Sequence, residues 1–283
     1  MFDGDCPFCI ASVRWLERLR VVPAGSSRPW QSYEGERAAL LLDAGIRNEI
    51  VALDPESGET RSGVRGVVWA QEGSWASALA RLLTLPGAGG LANLAYRTLA
   101  FNRRVIAPAR RPAGMACACD PDFHAGYRAL WILVAVHAAL GLAWLFGASF
   151  PVPGADASSG GTALASGRAL RFLALATPGW WLAAGLGSFL GRERYADWVG
   201  HLATTALLGS AALLPGILAA LVLEGRALHA VQWASLLLAA VLMARAQVRR
   251  NAALGIGQRW TAIWAGSLAL GCVPFSIALT LRS

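Results

Sequence analysis

The chain has 283 residues, 55% hydrophobic and 15% charged, with 25 basic against 17 acidic side chains and a formal charge of +8. So apolar a composition excludes an ordinary soluble protein of this size and points to burial in a membrane. Every basic residue is arginine and many flank apolar runs, so the charge reads as membrane topology; nucleic-acid binding is excluded because no basic helix with interleaved stacking aromatics occurs.

Charges and turn formers interrupt the first 128 positions, and long uncharged runs dominate the rest, which puts a boundary near Arg128. The opening Met1-Phe2-Asp3-Gly4-Asp5-Cys6 has no basic stretch leading into an apolar core. No secretory signal is therefore expected ahead of the first domain.

The strongest chemical signal comes first, in Asp3-Gly4-Asp5-Cys6-Pro7-Phe8-Cys9, followed by Ser12, Val13, Trp15, Leu16 and Leu19 at helical spacing. Two cysteines three apart at a helix start can close a disulfide. The helix amino terminus stabilises the thiolate of the first, so Cys6 is expected to be the exposed nucleophile. Cys9 would then resolve a mixed disulfide by attacking the Cys6 sulfur. Pro7 suits the first turn, where its missing N–H costs nothing. Asp3 either tunes a thiol or caps the helix through its carboxylate. The pair also fits half of a zinc site, completed by Cys117, Cys119 and His124, although their Cys-x-Cys spacing is not that of a zinc knuckle.

Further along, Ile50–Leu53 and Val64–Ala70 read as short strands, Ser74–Leu85 as a helix, and Leu91–Ile106 as an amphipathic helix. The last contains Tyr96, Arg97, Ala100, Asn102 and Arg103. Its polar members either bind an acidic partner such as a glutathione carboxylate or solvate a helix face near the membrane, and the second reading is favoured.

Cys6-Pro7-Phe8-Cys9 is similar to the glutaredoxin Cys-Pro-Tyr-Cys. Asp3, Cys6 and Cys9 in an Asp-x-x-Cys-x-x-Cys pattern, with Tyr96, Arg97, Ala100, Asn102 and Arg103 in a Tyr-Arg-x-x-Ala-x-Asn-Arg pattern about ninety residues on, resemble the DCC thiol-disulfide oxidoreductases. The resemblance covers roughly residues 1–112. It implies a thioredoxin-like α/β domain with the Cys pair at the first strand-to-helix junction, a catalytic set of Cys6, Cys9 and Asp3, and no cofactor beyond the Cys6–Cys9 disulfide. None of Pro23, Pro29, Pro55 and Pro86 is marked as the cis-proline that faces the dithiol in thioredoxins.

Residues 113–128 form a hinge holding Cys117 and Cys119, read as a second dithiol that exchanges electrons with the first, as plain thiols, or as metal ligands. A disulfide across one intervening residue is strained and hence relatively oxidising.

Residues 129–283 are expected to be an all-α transmembrane bundle of about five spans, at 129–150, 170–190, 197–223, 227–244 and 260–281. Pro178 and Pro215 are expected to kink the second and third. Trp131, Trp144, Trp198, Trp233 and Trp260 fall near proposed ends, as interfacial aromatics do. Arginines crowd before the first span, between the second and third, and between the fourth and fifth. This predicts a cytoplasmic amino-terminal domain and an outward carboxyl terminus in what would be a bacterial inner membrane. His137 and His201 lie within spans. They are read as a helix-bundle hydrogen bond and a headgroup-level side chain, with a bis-histidine haem or proton and quinone handling as alternatives. Cys272 reads as a small packing residue in the fifth span.

The whole is therefore expected to be a membrane-anchored enzyme that reduces or exchanges disulfides of thiol or disulfide client proteins or of glutathione, its other partner being lipid. The outward loops contain no cysteine, which argues against a transmembrane thiol relay. The alternative is a transporter or assembly factor with a regulatory thioredoxin-like domain.

Overall fold

The computed structural model describes residues 1–71, 75, 77–83, 85, 87–108, 121–150 and 161–280. The chain divides into two units, Met1–Trp131 and Ile132–Ser283.

In the first unit, helix α1 (Pro7–Arg18) begins at Cys6, which takes the extended backbone of an N-cap, and Pro7 occupies the first turn. Cys9 and Val13, one turn apart, face inward. Helix α2 (Gly35–Asp43) follows, then an antiparallel pair β1 (Val51–Leu53) and β2 (Thr60–Ser62), with Val51 opposite Ser62 and Leu53 opposite Thr60. Backbone bonds extend this pair. The Met1 amino group donates to Val51 O at 2.6 Å, and Phe2 bridges Pro29 in parallel, with Trp30 N–H donating to Phe2 O at 2.9 Å. Residues 28–30, 1–2, β1 and β2 thus lie side by side. Leu41, Ile46 and Val51 form the core beneath them, with Met1, Trp30, Tyr33 and Leu53 packed against it.

The stretch expected as a second strand is instead helix α3 (Gly63–Ala70). Its β-branched residues favour a strand, but two glycines decide otherwise. Gly63 leaves β2 at φ 62°, a left-handed turn. Gly66 brings the helix onto the backbone of the sheet, where a Cβ would stand 3.3 Å from Ala52 N. Helix α4 is shorter than expected, Ser77–Leu82, while α5 (Ala88–Ile106) contains the whole predicted amphipathic segment. No described peptide bond is cis.

The second unit is helical. Helix α6 (Ala125–Ser149) runs into it from the first, and is followed by α7 (Gly161–Ala176), α8 (Pro178–Leu186), α9 (Arg192–Ala211), α10 (Leu214–Ala219), α11 (Gly225–Ala253) and α12 (Arg259–Thr280). Four helical stretches are long and apolar enough to cross a membrane among the described residues: Ala125–Ser149, Ala165–Leu190, Arg194–Ala219 and Gly225–Ala253. Two of them are composite. Pro178 starts α8 one residue after α7 ends, while Trp180 N–H still reaches Thr177 O at 3.1 Å; Pro215 sits in the first turn of α10, and Ile217 N–H reaches Leu213 O at 3.1 Å. Both prolines interrupt the ladder without ending the path. The segment expected as a fifth span lies in α12, which is outside those four. Cys272 is also on α12.

Packing in this unit centres on Ala183, Trp198, Leu202 and Trp264 in one cluster and on Phe146, Ala212, Leu213 and Ala239 in another. Trp198, expected at an interface, is fully buried; its indole N–H donates to Ala183 O at 3.1 Å.

Candidate functional site

The turn Asp3-Gly4-Asp5 delivers the chain into α1 and is built for tightness. Cys6 N–H donates to Asp3 O at 3.3 Å, and a Cβ at position 4 would stand 2.8 Å from Pro29 Cβ, so glycine is required there. Gln31 clasps the turn: Gly4 N–H donates to its Oε1 at 3.1 Å, and its Nε2 donates to Asp3 Oδ1 at 3.0 Å. Asp3 also accepts Asp5 N–H at 3.0 Å. Asp3 therefore ties the turn together instead of capping α1, whose N-cap is Cys6.

Both thiols are buried. Cys6 is 0% exposed and Cys9 6%, which corrects the expectation of an exposed Cys6. The Gln31 clasp and the close approach of Pro29 hold the motif turn against residues 29–31, and the sulfur goes inward with it. Electrostatics nevertheless separates the pair in the expected sense. A hydrogen bond from the Cys9 thiol is the main cause that pulls Cys6 down to about 6 from the ordinary 9.0; burial works against it, and the Cys9 N–H and the Arg103 charge add to it. The Cys9 N–H points at the sulfur without completing a capping hydrogen bond. Cys9, as the donor to that thiolate, is pushed far up. Cys6 is thereby the more acidic thiol of the pair and Cys9 the less acidic.

Arg103 comes from α5 and is buried with Asp3, its Nη2 3.6 Å from Asp3 Oδ2. It also donates to Arg47 O. A guanidinium and a carboxylate beside two thiols oppose each other: the cation stabilises a thiolate and the anion penalises it. Tyr96, about two turns earlier on α5, accepts Ile50 N–H at 2.6 Å. Arg97 pairs with Glu49 at 2.8 Å and is half-exposed.

Asn102 points elsewhere. Its Nδ2 donates to Tyr127 O at 2.9 Å and its Oδ1 accepts Arg128 Nε at 2.6 Å, joining α5 to the beginning of α6. Phe101 stacks on Tyr127 at 5.0 Å beside it. Only Arg97 keeps solvent, so the reading of a solvated face fails for the fully buried Asn102 and for Arg103. Burying an arginine and an asparagine is expensive unless their groups are engaged, and here they hold two different junctions.

A cavity of about 280 Å³ lies against Cys9, with Phe8 and Ser12 of α1 also lining it, together with Tyr96 and Arg103 of α5 and with Asp3 and Glu49. Gln31, Arg47, Glu49 and Ile50 give no sequence signal; only the fold brings them to the motif.

Cys117 and Cys119 lie outside the described residues. His124, the third candidate metal ligand, packs with Phe101 and Tyr127, its ring centre 4.4 Å from that of Tyr127. His137 has Nδ1 at 2.7 Å from Leu133 O on its own helix. His201 is buried beside Arg250, Nη1 to Nδ1 3.1 Å. It belongs to a chain of polar contacts: Thr205 donates to His201 O and to Gln247, Gln247 to Asn251, and Asn251 to Thr261, at 2.8 to 3.0 Å.

Comparison with curated proteins and with solved structures finds no match. The family comparison does: residues 1–107, the stretch that holds both thiols and the Tyr96–Arg103 motif, match the model of the DCC1-like thiol-disulfide oxidoreductases, and four apolar helices suited to a membrane domain follow.

Proposed function

We propose that the chain is a membrane-anchored thiol-disulfide oxidoreductase with a thioredoxin-like amino-terminal domain on the cytoplasmic side, and that Cys6 and Cys9 are its redox pair. The observation that carries this reading is the asymmetry of the pair at the start of α1: Cys6 drawn down to about 6, Cys9 pushed up by its hydrogen bond to Cys6, and the Arg103 guanidinium nearby. The Cys6 thiolate attacks a disulfide RS–SR' and releases RS⁻, which takes up a proton. Cys9 loses its proton as it attacks the Cys6 sulfur of the mixed disulfide, and R'S⁻ departs and takes up that proton. The protein is oxidised to Cys6–S–S–Cys9 while the substrate gains two electrons and two protons. Substrates are thiol or disulfide client proteins or glutathione, and no further cofactor is required.

The test uses the full chain in detergent or lipid. A reversible two-electron couple, titrated against thiol buffers and abolished in both Cys6→Ser and Cys9→Ser, supports the proposal; two independent thiols with no exchange overturn it.

A second reading, a transporter or assembly factor regulated by the dithiol domain, draws on the buried contacts from His201 to Thr261 and on the helix breaks at Pro178 and Pro215. Ionisable and amide groups buried among apolar helices are functional candidates by default. Disulfide reduction that persists when Gln247 or His201 is replaced separates the enzyme from this alternative.

A further inference from the structure

Helix α1 turns Cys9 and Val13 inward, and its outer side is neither polar nor neutral. Arg14, Trp15, Arg18 and Leu19 face out, and Arg20 follows at φ 53°. Trp15 is 60% exposed and Leu19 51%. Trp75 arrives at the same place from beyond α3: its indole N–H donates to Leu19 O at 2.8 Å, and the ring remains 66% exposed. That hydrogen bond fixes the indole beside the end of α1, so its exposure is a feature of the surface. Tryptophan is highly buried on average in soluble proteins, so two bare indoles beside a bare leucine mark a covered surface.

The charges say what covers it. Arg14, Arg18 and Arg20 surround the apolar group, and among the described residues none of them forms an ion pair. The acidic residue of the helix, Glu17, is occupied by Ser27 N–H at 3.3 Å. Indole rings flanked by guanidinium groups suit the headgroup layer of a bilayer: the amphipathic ring sits at the boundary, and each fork takes phosphate oxygens. We infer that this face of α1, with Trp75, rests on an anionic lipid surface. The inference takes the membrane-anchored reading as given. Tethering by the apolar helices keeps the local lipid concentration high, so a small face suffices. Nine residues separate Trp15 from Cys6, about 14 Å at helical rise. The lipid contact therefore holds the far end of α1 and leaves the dithiol end clear.

The test uses the full chain in lipid nanodiscs whose acyl chains carry bromine near the headgroups, comparing zwitterionic discs with discs containing phosphatidylglycerol. Bromine quenches nearby indoles. In anionic discs the share of quenched emission should drop in W15F/W75F, and the difference between wild type and that variant should shrink several-fold in R14E/R18E or at high salt. Identical quenched emission in wild type and W15F/W75F, while the exposed Trp181 and Trp233 of the apolar helices are quenched, overturns the inference alone. Equal, salt-insensitive quenching in zwitterionic discs overturns the anionic assignment. If Trp181 and Trp233 also escape quenching, the membrane reading fails and this inference falls with it.

Discussion

At the scale of single residues, the dithiol makes a prediction whose sign follows from the shift on Cys6. A group pulled down to about 6 on folding from an ordinary 9.0 stabilises the reduced protein wherever the folded thiol is ionised, and does so in full above the unfolded value. That contribution is absent below about pH 6, grows between about 6 and 9, and is lost again as pH falls back through 6. The oxidised protein has no such group. Unfolding midpoints measured for both forms should therefore diverge in favour of the reduced form as pH rises through that window, and parallel curves would show that Cys6 titrates as a normal thiol. Iodoacetamide should trap Cys6 with a rate that levels off above about pH 7 and falls about tenfold per unit below 6.

Arg103 supplies a second test. Arg103→Met leaves Asp3 buried without its guanidinium, a loss on the order of 3 kcal/mol, and removes an attraction that helps Cys6 ionise. The stability loss and an upward shift of the alkylation profile should appear together. Arg103→Lys keeps the charge and should restore the profile more than the stability, because an ammonium cannot reproduce the planar fork that also reaches Arg47 O. Cys-x-x-Cys was legible in the sequence because its chemistry depends on spacing, and Tyr96–Arg103 was legible through the resemblance to the DCC family. The burial of Cys6, and the split by which Arg103 serves the thiols while Asn102 serves the start of α6, were not. Those depend on which neighbours α5 meets, and Gln31, Arg47 and Tyr127 carry no local signal of it.

At the scale of elements, period and punctuation had unequal success. Of the 19 residues of α5, the 16 from Leu91 to Ile106 show helical spacing and were read as a helix. Residues 64–70 contain Val64, Val67 and Val68, and β-branching argued for a strand; the same residues at i, i+3 and i+4 make one face of α3. Gly66 is what permits that helix. In Gly66→Ala the new methyl would press on Arg61 O and Ala52 N, within the β1–β2 pair. Overpacking of this kind costs about 1–3 kcal/mol, so circular dichroism should show an earlier melting transition with the thiol chemistry unchanged. A melt unaltered by the methyl would mean that α3 does not press on the sheet there. Among the apolar helices, Gln247 accepts from Thr205 of α9 and donates to Asn251, which in turn reaches Thr261 of α12. Gln247→Leu breaks that bridge, leaving Thr205 its bond to His201 O and Asn251 its bond to Thr261. Polar contacts between membrane helices are worth about 0.6 kcal/mol on average and rarely above 2, so a modest loss of stability in detergent is expected, and a neutral result would assign the network to function instead of packing.

For the whole molecule, the arginine distribution and the helix count make one claim that can fail cleanly. Arg192 lies between the second and third apolar stretches and Arg194 begins the third; Arg249 and Arg250 stand in the last turn or so of the fourth and Arg259 begins α12; the connection at residues 151–160 has no basic residue at all. Under the positive-inside rule the richer loops stay in the cytoplasm. The dithiol unit, which precedes the first apolar helix, then shares their side. The parity of spans fixes where Ser283 ends. Four crossings would return it to the dithiol's side, and a fifth through α12 would carry it across. The 22 residues of α12 rise about 33 Å, enough for a hydrocarbon core of about 30 Å. Reporters that work on one side only, such as a fluorescent protein and a periplasmic phosphatase, should therefore give opposite answers when fused after Ser283 and after Ala253. Fluorescence is expected at Ala253 and phosphatase activity at Ser283. The same answer at both sites would make α12 a surface or re-entrant helix and leave four spans; phosphatase activity at Ala253 would place the dithiol outside and reverse the side on which it meets its substrates.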